Sequence, residues 1–266
     1  LYGLQRLEDS EEVRGLVKAL IPKVQGCRAE LNSQEVGNAL YGLQRLEDSE
    51  EVRGLVKALI PKVQGCREEL NSQHVGNALY GLQRLEDSEE VRGLVKALTP
   101  KVQGCREELD SQHIGNALYG LQRLGDSEEV RGLVKALTPK VQGCRAELNS
   151  QEVCNALYGL QRLEDSEEVR GLVKALTPKV QGCHEELNSQ HVGNALYGLQ
   201  RLGDSEEVRG LVAALLMVAI TPTVCSAGKI LEALCWFRGR NESEIEEMRE
   251  LVKQLTTEVG LCREEF

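Results

Sequence analysis

Residues 31–69 read LNSQEVGNALYGLQRLEDSEEVRGLVKALIPKVQGCREE, and nearly the same 39 residues recur along the chain. The dipeptide Leu-Tyr marks the period, since it begins at Leu1, Leu40, Leu79, Leu118, Leu157 and Leu196. Self-similarity at a fixed period of this length is the signature of a repeat architecture. We divide residues 31–224 into five stacked repeats, at 31–69, 70–108, 109–147, 148–186 and 187–224. A truncated repeat, 1–30, precedes them, and a degenerate repeat, 225–266, follows them.

Two helices are predicted in each repeat. Helix A runs from about Gln34 to Leu46, with Ser33 as its N-cap. Its apolar face consists of residues at helical spacing, namely Val36, Ala39, Leu40, Leu43 and Leu46. Helix B is predicted to begin at Asp48, where Glu51 completes a capping-box pattern. Its apolar positions stay in phase over a long segment, at Val52, Leu55, Val56, Leu59, Val63, Cys66 and Leu70.

Pro61 falls inside helix B, where it removes a backbone hydrogen bond and kinks or splits the helix. Later repeats carry a Thr-Pro pair here, at Thr99–Pro100, Thr138–Pro139 and Thr177–Pro178. We favour one long kinked helix, because the apolar face keeps its phase across the proline. The alternative is a three-helix, armadillo-like unit in which Thr and Pro begin a third short helix.

One such repeat cannot bury its apolar face alone and must stack on its neighbours. The predicted fold is therefore all-α, an αα-superhelix (α-solenoid) of about six to seven helical-hairpin repeats of 38–39 residues. The last repeat, 225–266, contains Trp236, Phe237 and a charged run, and we interpret it as a C-terminal cap. We expect the chain to be a fragment, since Leu1 falls inside the helix pattern.

Composition narrows the possible functions. The net charge of −10 does not favour nucleic-acid binding in general. The longest apolar stretch, 211–224, is too short to span a bilayer, so we expect no membrane association. The repeated cysteines lie on the apolar face of helix B, which predicts core packing rather than disulfides or zinc. We find no nucleophile–base pair, phosphate-binding glycine loop or metal set, and we expect no enzyme activity and no cofactor.

The outward side of helix A carries four polar residues per repeat, which would form ladders along one surface. Asparagine and glutamine can hydrogen-bond base edges, tyrosine offers a stacking plane, and arginine can pair with phosphate. The alternative is that the asparagines and tyrosines form a purely structural ladder between repeats. The candidate ligand-binding residues are Gln34, Asn38, Tyr41, Arg45, Gln73, Asn77, Tyr80, Arg84, Gln112, Asn116, Tyr119, Arg123, Gln151, Asn155, Tyr158, Arg162, Gln190, Asn194, Tyr197 and Arg201.

One position beside these ladders varies between repeats, at Glu35, His74, His113, Glu152 and His191. A variable position on a constant frame is how proteins that read one base per repeat encode their sequence preference. We therefore include it among the candidate RNA-contacting residues. The alternative is a surface position that tolerates substitution.

The stretch Ser33 to Leu43, SQEVGNALYGL, together with the 39-residue period, resembles the octotricopeptide repeat family. The glutamine, asparagine, leucine and aromatic positions align with the family's first helix. The resemblance covers the five full repeats and most of the truncated one. It implies an αα-superhelix that binds organellar RNA and has no enzyme activity of its own.

We expect single-stranded RNA as the ligand, bound at about one base per repeat over about five nucleotides. The alternative is an armadillo- or HEAT-like scaffold that holds an extended peptide or protein partner. A spacer without a ligand is a third interpretation. We expect an intracellular protein, in a mitochondrion or chloroplast if a targeting peptide precedes Leu1.

Overall fold

The computed structural model describes residues 1–219, and within them the only regular elements are helices. A short 3-10 helix, Tyr2–Arg6, comes first. The A helices are α2 (Ser33–Tyr41), α4 (Ser72–Tyr80), α6 (Ser111–Tyr119), α8 (Ser150–Tyr158) and α10 (Ser189–Gly198). The B helices are α1 (Glu11–Gly26), α3 (Glu50–Gly65), α5 (Glu89–Gly104), α7 (Glu128–Gly143), α9 (Glu167–Gln181) and α11 (Glu206–Ala219). The predicted all-α solenoid of paired helices is confirmed.

Equivalent helices of successive repeats stack on each other. Each A helix packs against the A helices of the neighbouring repeats, and each B helix packs against B helices. The two rows enclose one continuous apolar core, in which Leu40, Leu55 and Leu59 are at most 1% exposed. Full burial of such a side chain stabilises the folded state by about 1.5–3 kcal/mol. The core therefore runs through the stack instead of ending within each repeat.

Both predicted helix starts are displaced by one residue. The N-cap of α2 is Asn32, whose side chain accepts from the backbone N–H of Glu35, while Ser33 is already helical. The N-cap of α3 is Ser49, which accepts from Val52, and not Asp48. Neighbouring residues that are all good N-caps explain the error, because capping preference alone cannot choose between them.

Helix A is shorter than predicted. It ends at Tyr41, and the chain continues as tight turns in which Leu43 N–H donates to Leu40 and Leu46 N–H donates to Leu43. Leu43 and Leu46 are nevertheless fully buried. The apolar pattern therefore identified the core correctly, although it extended the helix by one turn too many.

Helix B is one continuous helix, and the three-helix alternative is wrong. Pro61 lies inside α3, and Pro100 lies inside α5. Where Thr precedes the proline, its hydroxyl is used within the helix, since Thr99 Oγ1 donates to the Val95 carbonyl at 2.9 Å. Helix B ends earlier than predicted, however. Cys66 is its C-cap and Leu70 lies beyond it, both of them buried.

The cysteines within residues 1–219 are free thiols, and they are buried except for Cys27. Burial raises the pKa of the Cys105 thiol, in keeping with the predicted packing role. No helix among the described residues is long and apolar enough to cross a membrane. The predicted capping repeat, 225–266, lies outside the described residues.

Candidate ligand-binding surface

Six tyrosines form a continuous stack across the repeats, because each occupies the same position in its repeat. Neighbouring ring centroids are 5.9–6.1 Å apart and the ring planes differ by 22–28°. We call this stack the tyrosine row; its members are Tyr2, Tyr41, Tyr80, Tyr119, Tyr158 and Tyr197.

Neighbouring repeats approach each other closely at the tyrosine row. Because the repeats are nearly identical, the distance between equivalent rings measures the local spacing of the repeats. That spacing is about 6.0 Å, whereas packed helices are usually about 8–10 Å apart. The same compression lets Arg123 reach back across two repeats, where its Nη1 lies 3.0 Å from Oε2 of Glu47. We call the tyrosine row, with the asparagines and arginines beside it, the inner face.

The rings of the tyrosine row cover one another. A base inserted between Tyr80 and Tyr119 would have to separate two rings whose centroids are 6.0 Å apart. The stacking plane expected from the sequence is thus occupied by the neighbouring tyrosine, and the ring edges and hydroxyls remain for a ligand. The row therefore acts first as a structural ladder, as the alternative interpretation predicted.

The asparagines lie three residues before the tyrosines, on the same side of helix A. Asn38, Asn77 and Asn116 are half-buried. Within residues 1–219, the amides of these three side chains have no hydrogen-bond partner. Asn155 differs, since its Oδ1 accepts from Gln151 at 2.8 Å. Asn38, Asn77 and Asn116 therefore offer amide donors and acceptors that the fold does not use.

The arginines beside the row form ion pairs with glutamates that the sequence reading did not include. Arg84 Nη1 lies 2.7 Å from Glu47, and Arg162 Nη1 lies 2.5 Å from Glu86. Arg123 contacts both carboxylates. A glutamate two residues after most of these arginines, recurring with the same period, was the available signal.

Two of the five candidate arginines have no ion pair among the described residues, and Arg6 at the equivalent position has none either. Arg45 and Arg201 are both exposed. Six arginines occupy this position along the stack, but only four glutamates follow them, because Gly125 and Gly203 replace the glutamate in two repeats. These six arginines, which we call the arginine line, therefore carry more positive charge than the glutamates that follow them can neutralise, although the protein as a whole is acidic.

The variable Glu/His position lies between repeats, and in two of them it has a capping role. Glu35 and Glu152 each accept from the backbone N–H of their own N-cap residue, which completes a capping box. The histidines at this position make no such bond in the described part of the chain. Instead, His74 packs over Gly37 of the preceding repeat, where an added Cβ would lie 3.2 Å from His74 Cα.

His74 Nδ1 is buried without a hydrogen-bond partner in the described part of the chain. This desolvation holds the pKa of His74 below its ordinary value, although Glu107 and Glu68 nearby partly offset the effect. Neutral histidine is therefore the form that fits this interface.

The first-turn glutamines of helix A, including Gln34 and Gln73, are exposed at the start of the helix. A second carboxylate, which sequence reading missed, reaches this end from the last residues of the same repeat. Glu68 accepts from the N–H and the hydroxyl of Ser33, both at 3.0 Å, and these bonds hold the pKa of Glu68 below its ordinary value. This anionic contact leaves the start of helix A less suited to phosphate than the arginine line.

Comparisons with known proteins add little to this description. No family model matches the chain, and no curated protein matches it either. The solved structures that match include a designed armadillo repeat protein, which is 16% identical, with a TM-score of 0.37 over 94% of this chain and 96% of its own. The helices and their stacking identify the chain as a helical-repeat protein.

Proposed function

We propose that this helical-repeat protein binds single-stranded RNA along its inner face. The observation that carries the proposal is a series of half-buried asparagine amides in three consecutive repeats, Asn38, Asn77 and Asn116, which have no hydrogen-bond partner within residues 1–219. The resemblance of helix A to octotricopeptide repeats supports the same ligand. An amide can donate to and accept from a base edge, as asparagine does in sequence-specific readers.

The spacing of the inner face suits an unstacked strand. Stacked nucleotides rise about 3.4 Å along one strand, whereas equivalent tyrosines are about 6.0 Å apart. A strand that places one nucleotide on each repeat must therefore be stretched and its bases splayed, which is how proteins read single-stranded RNA. The arginines would contact phosphate, and the tyrosine row would hold the repeats at this spacing.

Paired substitutions of amides test the proposal. The inner variant combines Asn77→Ala and Asn116→Ala, and the control combines Gln103→Ala and Gln142→Ala, which remove exposed amides from helices α5 and α7. Binding of short random-sequence RNA to the full chain is followed by fluorescence anisotropy at about 50 mM and about 200 mM salt. We expect the inner variant to bind at least about tenfold more weakly. Equal affinity of both variants, or no binding by the unaltered chain at low salt, contradicts the proposal.

An extended peptide is the second candidate, because two residues of an extended chain span about 6.6 Å, close to the repeat spacing of about 6.0 Å. The same asparagine amides would then bond to peptide backbone. A random-sequence peptide pool added to the RNA assay distinguishes the two. Peptide binding that depends on Asn77 and Asn116, without RNA binding, favours the peptide.

A further inference from the structure

Gly125 and Gly203 interrupt the glutamate series beside the arginines. The equivalent position is occupied by Glu8, Glu47, Glu86 and Glu164 in the other repeats. The backbone does not require glycine here, because no glycine among the described residues has a positive φ. A Cβ at Gly125 would lie 3.0 Å from Oδ2 of Asp87, but the side chains of Glu47 and Glu86 fit the equivalent place.

A glutamate at this position pairs with the arginines 37 and 76 residues later, so its absence at Gly125 concerns Arg162 and Arg201. Arg123 is the fully paired case, with Glu47 at 3.0 Å and Glu86 at 3.6 Å. Arg162 contacts Glu86 alone, since Gly125 offers it no carboxylate. Arg201 has no ion pair among the described residues and is exposed. The gap at Gly125 therefore leaves Arg162 and Arg201 each without a carboxylate that Arg123 has in the equivalent place.

We infer that the gap at Gly125 forms an anion subsite in which Arg162 and Arg201 take a phosphodiester of the bound strand. The inference rests on the proposed RNA binding and gives the strand a preferred anchor. Arginine is suited to this role, because its guanidinium donates two parallel hydrogen bonds to phosphate oxygens. At Arg84 and Arg123 the protein's own glutamates pair with the arginines, so a phosphate there would compete with a carboxylate.

The test restores the missing carboxylate and separates its charge from its size. Gly125→Glu introduces the residue that other repeats carry, and Gly125→Gln introduces a side chain of the same size without charge. We expect Gly125→Glu to bind labelled single-stranded RNA about tenfold more weakly than Gly125→Gln. A smaller dependence of affinity on salt should accompany this loss. Denaturation midpoints of both variants serve as the control for folding.

The reverse substitution provides a second, independent variant. Glu86→Gln removes the carboxylate shared by Arg123 and Arg162, and we expect it to raise RNA affinity several-fold. If Gly125→Glu and Gly125→Gln bind RNA equally, and Glu86→Gln leaves the affinity unchanged, the subsite is overturned while RNA binding stands. If the unaltered chain binds no RNA at low salt, both proposals are overturned.

Discussion

The backbone of Gly120 packs so closely against the preceding repeat that an added Cβ would lie 2.0 Å from the carbonyl oxygen of Leu79. No side-chain rearrangement can relieve a contact with backbone, so the A helices must move apart. We therefore expect Gly120→Ala to lower the free energy of unfolding by about 3 kcal/mol, as overpacked cores do. Urea denaturation followed by circular dichroism measures the change. Unaltered stability would contradict the close approach of the A helices.

Glycines within helix B should behave in the opposite way. A Cβ on Gly132 would meet nothing within 4 Å, whereas a Cβ on Gly93 would lie 3.0 Å from Cδ1 of Ile60. Alanine in an open helix interior stabilises by about 0.5–1 kcal/mol relative to glycine. We expect Gly132→Ala to show this gain in urea denaturation and Gly93→Ala to show less. A larger gain at Gly93 would argue against the packing of Ile60 over that helix.

The tyrosine row should contribute to stability in proportion to the number of stacked neighbours. Tyr119 stacks on Tyr80 and Tyr158, whereas Tyr2 stacks on Tyr41 alone. An aromatic pair contributes about 0.5–1.5 kcal/mol beyond the area that it buries. We expect Tyr119→Ala to lower the thermal midpoint clearly more than Tyr2→Ala. Equal midpoints would mean that the stacked rings do not hold the repeats together.

Acidification should weaken the contact made by His74. Burial lowers the pKa of His74 in the folded chain, so the unfolded chain takes up this proton first as the pH falls. The contribution of this group to stability is therefore complete above about pH 6.5, the ordinary pKa of histidine. It decreases as the pH falls below that value, and it stops decreasing once the pH is below the lowered pKa of the folded state.

The variant His74→Gln isolates this effect, because it leaves the other histidines in place. Denaturant midpoints measured between neutral pH and about pH 5 should fall more steeply for the unaltered chain than for His74→Gln. Parallel pH profiles would show that His74 is solvated in the folded chain.

The sequence was sufficient to predict the period, the two helices and the core. Leucines such as Leu40 and Leu55 recur at helical spacing, and that regularity does not depend on neighbouring repeats. The exact N-caps were not predictable, since Asn32 and Ser33 are both good caps and only the packed structure chooses between them.

The contacts between repeats could not be predicted from the sequence alone, because they depend on how closely the repeats approach each other. The pairing of Arg123 with Glu47 spans 76 residues and follows from the compression of the inner face. Gly54, on the outer side of helix B, had no explanation in the sequence. The structure supplies one, since Ile21 of the preceding repeat covers it, 2.9 Å from where a Cβ would lie.

Ultraviolet crosslinking of the full chain to short single-stranded RNA, with the crosslinked residues located by mass spectrometry, tests the central claim most directly. If the inner face binds RNA, the crosslinks will lie in and just after the A helices, at residues such as Tyr80, Tyr119 and Arg162. Crosslinks confined to the exposed surface of the B helices, around Lys96 and Lys135, would contradict the account, as would the absence of any crosslink.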